Sequence, residues 1–132
     1  VGIMQRALDE AVAYAKQRKQ FGRRLIDFEM VQAMLADMAI KTEAARVLVN
    51  NCMRQMDAGE MVRKDGAIVK TFVTDAMQEV VSNAVQVLGG YGYSEEYPVE
   101  KLMRDAKIFQ IFEGSNQIQR MTIAKELDRE YR

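Results

Sequence analysis

Glu113 is the residue whose setting most favours chemistry: Ile111 and Phe112 precede it and Gly114 follows. Apolar surroundings disfavour the charged form of a carboxyl group, raise its pKa and make it usable as a general base. Gly114 has no Cβ, so a ligand can come close to the backbone there. Ser115-Asn116-Gln117 open the next helical pattern. Unpaired N–H groups at such a start favour an anion such as phosphate. Spacing alone favours the plainer reading, in which Glu113 does no more than complement the dipole of that helix.

Two other stretches concentrate polar groups at helix ends. Gln86-Val87-Leu88-Gly89-Gly90-Tyr91-Gly92-Tyr93 closes a long helical pattern. Its paired glycines read either as a C-cap and turn or as a cradle for a phosphate or ribose. It is neither a dinucleotide-binding fingerprint nor a P-loop, because no strand precedes it and the spacing differs. Lys16 to Arg24 is a basic run. It reads as a solvated helix end matched to the macrodipole, or as a phosphate site. Arg104-Asp105 reads as a local ion pair.

What is missing restricts the chemistry further. The 132 residues include no histidine and one cysteine, Cys52. Ser-His-Asp and Cys-His machinery within the chain is therefore excluded, as are His-based and thiolate-rich metal sites and an internal disulfide. Acid–base work is left to Asp, Glu, Lys and Tyr. A lone cysteine fits a reducing compartment, the cytoplasm of a bacterium or the mitochondrial matrix of a eukaryote. With 19 Lys and Arg against 19 Asp and Glu, the chain lacks the basic footprint of a nucleic-acid binder. No apolar run reaches the roughly 20 residues of a membrane span. The 10 methionines read as gap fillers between packed helices.

The elements that must position these residues are helical almost throughout. From Val1 to Lys19 apolar residues recur at helical spacing, and Gly22 stops the pattern. No start signal precedes it, so the domain is expected to continue a longer chain. Asp27 is the expected N-cap of a second helix, with Ile26 and Val31 as a staple. Its stripe runs Val31, Leu35, Met38, Thr42, Ala45, Val49, Cys52 and Met56, to Gly59. A third helix runs from about Val62 to Leu88 with Ile68, Phe72, Ala76, Val80, Ala84 and Val87 facing inward. Pro98 suits the first turn of a short helix to about Arg104. A connector from Asp105 to Phe112 follows, and Ser115 caps a last helix to about Glu130. No stretch reads as a strand. The expected class is all-α, an antiparallel four-helix bundle with a short kinked segment before the last helix.

Several stretches together resemble the acyl-CoA dehydrogenases, most closely the medium- and short-chain type. They are Gln5 to Ala11 (QRALDEA), Arg18 to Gly22 (RKQFG), Ala84 to Tyr93 (AVQVLGGYGY), Glu96 to Lys107 (EYPVEKLMRDAK) and Ile111 to Arg120 (IFEGSNQIQR). The likeness covers essentially the whole chain in order, and the last two motifs are individually specific.

The resemblance implies the C-terminal helical bundle of a flavoenzyme, residues 1–132, without the family's N-terminal helical and middle β-domains. It implies α,β-desaturation of an acyl-CoA thioester, with Glu113 as the catalytic base and Gly114 lying against the substrate. It implies FAD as cofactor, contacted by Arg18, Lys19, Gln20 and Phe21, by Gln86, Val87, Leu88, Gly89 and Gly90, and by Ser115, Asn116 and Gln117. Several of these contacts would reach a flavin held mainly by a neighbouring subunit, in a homo-oligomer built as a dimer of dimers. Electron-transfer flavoprotein is the implied acceptor. Family members commonly carry Gln where Glu29 stands; a carboxylate near a pyrophosphate is repulsive, so Glu29 is the weakest of the cofactor residues. The chain by itself is expected to be inactive and to bind FAD weakly or not at all. Two other readings fit the pattern less well: a non-catalytic helical oligomerisation module, which has no use for Glu113, and an acyl-CoA oxidase or nitroalkane oxidase, which diverges around the base motif.

Overall fold

The computed structural model describes all residues, Val1–Arg132. Five α-helices follow in order: α1 (Gly2–Gln17), α2 (Glu29–Asp57), α3 (Arg63–Leu88), α4 (Val99–Ile108) and α5 (Asn116–Glu130). The all-α class holds. The short kinked segment before the last helix is a helix in its own right, α4, longer than its sequence pattern indicated. Pro98 is its N-cap rather than its first helical residue. No helix is long and apolar enough to cross a membrane.

α3 is the hub, packing against α1, α2, α4 and α5. On α1, Met4, Ala7, Ala11 and Ala15 form a fully buried stripe at helical spacing. Three alanines in that stripe let the α1 backbone come close to its neighbours. Met38 and Ala45 of α2 and Val80, Val81 and Ala84 of α3 are also fully buried in this core. α2 and α3 have 29 and 26 residues. Each is therefore about 40 Å long, and their lengths match as antiparallel partners must.

The inward stripe predicted for α3 is corrected at its N-terminal half. Ile68 and Phe72 are 37% and 41% exposed. The buried positions there are Ala67, Thr71, Val73 and Thr74. Small side chains at this end let α5 seat closely, and the Thr74 hydroxyl meets Asn116 of α5. On α2, Met56 is likewise exposed rather than inward-facing.

Between α1 and α2 the chain forms a strand pair that the helical pattern did not indicate. β1 (Lys19–Gln20) and β2 (Arg23–Arg24) are antiparallel, Lys19 opposite Arg24 and Gln20 opposite Arg23. The two linking residues, Phe21 and Gly22, both have positive φ, 52° and 79°. A two-residue hairpin of the I′ type requires this at both positions. A 3₁₀ turn at Leu25–Asp27 follows. Asp27 does not cap α2: both its carboxylate oxygens accept from Arg24, at 2.8 and 3.1 Å. Phe28 is the N-cap and supplies no side-chain bond.

Candidate active site

The turn between α4 and α5 carries Glu113. Glu113 and Gly114 are consecutive left-handed residues, with φ of 53° and 80°. The left-handed conformation costs a non-glycine residue about 1–2 kcal/mol, so something must hold it. Two side chains do. Gln119 Nε2 donates to the Glu113 carbonyl at 3.0 Å. Lys70 Nζ, reaching across from α3, donates to the Gly114 carbonyl at 2.8 Å. A Cβ on residue 114 would lie 2.8 Å from Gln119 Nε2, so only glycine leaves room for the first of these bonds.

The turn is anchored below by Asn116, which is 3% exposed. Its Nδ2 donates to Thr74 Oγ1 at 2.8 Å and to Asp75 Oδ1 at 2.7 Å. Its Oδ1 accepts from Lys70 Nζ at 2.6 Å. Asp75 accepts in addition from Gln110 Nε2 at 2.7 Å and Arg120 at 2.6 Å. Burial pushes the Asp75 carboxyl up, but the bonds from Arg120, Gln110 and Asn116 outweigh it and hold the pKa below the usual range. For Lys70 burial dominates, and its pKa is lowered despite the nearby Asp75 charge. Ser115 caps α5 as its position predicted, its Oγ accepting from the Ile118 N–H.

The apolar pocket expected around Glu113 is not built by this chain. Glu113 is exposed, and so are Ile111 and Phe112 beside it. Phe112 turns its ring edge-on to Phe109, 5.0 Å away, instead of covering the carboxylate. The Glu113 carboxylate has no hydrogen-bond or ion-pair partner, and the N–H groups of Glu113, Gly114 and Ser115 have no backbone partner. A carboxylate and free donors are thus presented together on one turn. Arg104 and Asp105 do not pair with each other: Arg104 forks onto Glu100 at 2.8 and 3.1 Å, and Asp105 takes Lys101.

The other predicted site residues divide between two places. Arg18, Gln20, Val87, Leu88, Gly89 and Gly90 line one groove of about 610 Å³, although some 70 residues of sequence separate the two segments. Tyr14, Leu25 and Tyr91 give it apolar walls. Arg18 sits over the Tyr91 ring at 5.5 Å, and Tyr14, Tyr91 and Tyr97 pack as a cluster with centroids 5.6 to 6.4 Å apart. Gly89 ends α3 with a φ of 63°, and a Cβ on Gly89 or Gly90 would meet nothing. Ser115, Asn116 and Gln117 line a separate polar recess with Asp75, Gln110 and Arg120. Lys19, Phe21 and Gln86 are exposed beside the groove segments and line neither cavity, and Glu29 is the exposed first residue of α2.

The sequence profile described as "Acyl-CoA dehydrogenase, C-terminal domain" matches residues 1–127. This chain belongs to the acyl-CoA dehydrogenase family. It is 51% identical over 128 residues to a probable acyl-CoA dehydrogenase of Mycobacterium tuberculosis, covering 96% of this chain and 33% of that protein. It is 46% identical over 124 residues to subunit CarC of the caffeyl-CoA reductase–Etf complex of Acetobacterium woodii, covering 94% and 33%. The structure of butyryl-CoA dehydrogenase from Megasphaera elsdenii superposes with a TM-score of 0.94 at 48% identity, over 96% of this chain and 33% of that one. The chain therefore spans about a third of the length of the relatives it matches.

Within this acyl-CoA dehydrogenase domain, the residues that sequence reasoning missed are those whose hydrogen bonds hold the Glu113 turn and Asn116. Lys70, Asp75 and Gln119 sit in ordinary helical stretches, and nothing in their local spacing marks them. A signal existed for the α3 pair only in retrospect: Thr71 and Thr74 put hydroxyls at buried helix positions, with Lys70 and Asp75 beside them. Tyr14, not among the residues that the sequence singles out, also forms a wall of the groove.

Proposed function

We propose that this chain is the C-terminal domain of an FAD-dependent acyl-CoA dehydrogenase, in which Glu113 removes the α-proton of an acyl-CoA thioester. The observation that carries the reading is the Glu113–Gly114 turn: an unpartnered carboxylate and free backbone donors sit together on a turn fastened from two helices. The match of residues 1–127 to the family's C-terminal domain supports it.

The chemistry divides as follows. The Glu113 carboxylate takes the α-proton. The Glu113 N–H points its dipole at the thioester carbonyl oxygen and stabilises the charge that collects there as the C–H bond breaks. FAD, when bound, supplies the acceptor for the β-hydrogen, which leaves with its electron pair as the double bond forms. Gly114 keeps the backbone bare where the thioester lies. Water exclusion around Glu113, which would strengthen the N–H contact, has to come from atoms outside this chain, since the residue is exposed here. The exposed Ile111 and Phe112 are the apolar surface such a cover would bury.

The groove fits one end of the cofactor. Arg18 supplies a cation that makes no ion pair, although Glu96 also lines the groove; Tyr14, Leu25 and Tyr91 supply flat and apolar walls, and the bare Gly89-Gly90 backbone allows close approach. That set suits a phosphate, a ribose and an aromatic base. Ser115 and Gln117 serve a second stretch of the cofactor. The groove and the polar recess that Ser115 and Gln117 line share no residue, as expected if each holds a different stretch of a flavin shared between subunits. Exposed apolar side chains on α3 and α5, Ile68, Phe72, Ile118 and Met121 among them, support the same homo-oligomer. The name of the Acetobacterium relative supports electron-transfer flavoprotein as the acceptor.

The test is Glu113→Gln in the full-length protein. Acyl-CoA still binds, while flavin reduction, followed by absorbance in single turnover, falls by about 10²–10⁴-fold. Reduction at the wild-type rate would assign the base to another residue.

A further inference from the structure

Gly114 permits the left-handed turn but does not impose it, because glycine occupies positive and negative φ about equally. Glu113 has the opposite bias, since a side chain disfavours the φ of 53° that it adopts. Left to local preference, both residues would relax, and the carboxylate would swing with them. The conformation is imposed from outside the turn. Gln119 Nε2 fixes the peptide plane after Glu113 through its carbonyl, and Lys70 Nζ fixes the plane after Gly114 through the next one. With both planes held, rotation about the Gly114 α-carbon is blocked, and the plane that follows the Glu113 α-carbon is fixed.

Lys70 is the stronger of the two anchors. It is the only charged donor on the turn, and it comes from α3, the helix on which the rest of the bundle packs. Its ammonium also takes Asn116 Oδ1 at 2.6 Å, and Asn116 is itself fixed by Thr74 and Asp75. One side chain therefore ties the turn before α5, the first residue of α5 and the centre of the bundle to a single point.

We propose that Lys70 is a positioning residue for the dehydrogenation: through the Gly114 carbonyl it sets the direction of the Glu113 carboxylate and of the Glu113 N–H toward the substrate. This rests on the reading of Glu113 as the base. Lys70 does not touch the substrate or move a proton. Its work is to keep the base where a displacement of about 1 Å would cost a factor of about 10² in rate.

The experiment uses the FAD-loaded full-length enzyme with Lys70→Met, Lys70→Arg, Gln119→Leu and Glu113→Gln. Flavin reduction is measured per bound flavin, together with the acyl-CoA KM and backbone amide exchange over residues 113–116. Lys70→Met lowers the per-flavin rate by about 10–10²-fold, with KM changed less than about twofold, as expected when a transition-state contact is misplaced rather than substrate binding lost. Amide exchange over 113–116 quickens. Lys70→Arg, which keeps a cationic donor, recovers most of the rate and of the exchange protection. Gln119→Leu acts in the same direction and carries the test if Lys70→Met does not fold. A wild-type per-flavin rate in the folded Lys70→Met or Gln119→Leu enzyme overturns the proposal. So does a loss that follows only flavin content and thermal stability. Glu113→Gln separates the two ideas. If it is inactive while Lys70→Met keeps its rate, only the positioning role falls; if it is active, the assignment of the base falls and the positioning role with it.

Discussion

Asn116, the first residue of α5, gives its Nδ2–H to the Asp75 carboxylate of α3 at 2.7 Å. The bond joins residues of two helices, 41 positions apart in sequence, directly beneath the Glu113 turn. Burial raises the Asp75 pKa, but the bonds from Arg120, Gln110 and Asn116 pull it below the ordinary value, so folding releases its proton more readily. A carboxyl whose pKa is depressed by folding binds more protons unfolded than folded. Its stabilisation is complete above the unfolded pKa of about 3.9 and is lost as pH falls from there through the folded pKa. Thermal melts across acid pH should show the wild-type midpoint dropping below about pH 4, with a shallower drop in Asp75→Asn. Parallel acid limbs in the two proteins would mean that Asp75 gains nothing from its partners.

Gly92 and Gly90 differ in what surrounds them. A Cβ at Gly92 would lie 2.5 Å from the Val85 carbonyl oxygen, against the α3 backbone, while one at Gly90 meets nothing. Gly92→Ala should destabilise the protein by about 1–3 kcal/mol, as overpacking against a rigid neighbour does. Gly90→Ala should stay within about 0.5 kcal/mol of wild type. Urea denaturation checks both, and equal effects would place the close contact elsewhere.

The helices were legible because their signals are local. Ala7, Ala11 and Ala15 on α1, and Leu35, Met38, Thr42 and Ala45 on α2, repeat at helical spacing, and these positions are buried. The hairpin was not legible, because Phe21 takes a left-handed conformation that its side chain disfavours. Only the flanking strand pair and the Phe28 ring, 6.4 Å away, account for it there. The inward face of α3 was misjudged at Ile68 and Phe72 for a similar reason. Period and hydrophobicity mark an apolar stripe but do not say whether the chain's own helices or another surface will cover it. At the turn, Glu113 and Gly114 stood out by residue type. The clamp from Lys70 and Gln119, and the committed state of the Asn116 side chain, arise from tertiary contacts between α3 and α5. No spacing rule encodes those.

Arg18 offers the most direct probe of the groove. Its guanidinium lies over the Tyr91 ring at 5.5 Å and pairs with no carboxylate, so its hydrogen-bonding edge is available to an anionic ligand. A charge-assisted bond of this kind contributes about 1.5–3 kcal/mol. Arg18→Met in the full-length protein should therefore weaken FAD binding by a factor of about 10–100. Flavin titration followed by absorbance measures it. An unchanged dissociation constant would remove the groove from the cofactor site, and Gly89 and Gly90 would then be a helix stop and nothing more.

Phe72 decides what the uncovered face of α3 is for. It is 41% exposed one turn after Ile68, and α5 adds Ile118 and Met121, both more than half exposed. Apolar side chains that the chain's own helices leave partly in water stabilise it little, so truncating one should cost the dissociated chain less than about 1 kcal/mol. If this face meets another subunit, the same change removes buried apolar area from the interface and weakens association. Phe72→Ser should accordingly shift the assembled protein toward smaller species in sedimentation velocity, while chemical denaturation of the dissociated form stays near wild type. A variant that loses stability but keeps its assembly state would return Phe72 to the core and take this face out of the oligomer.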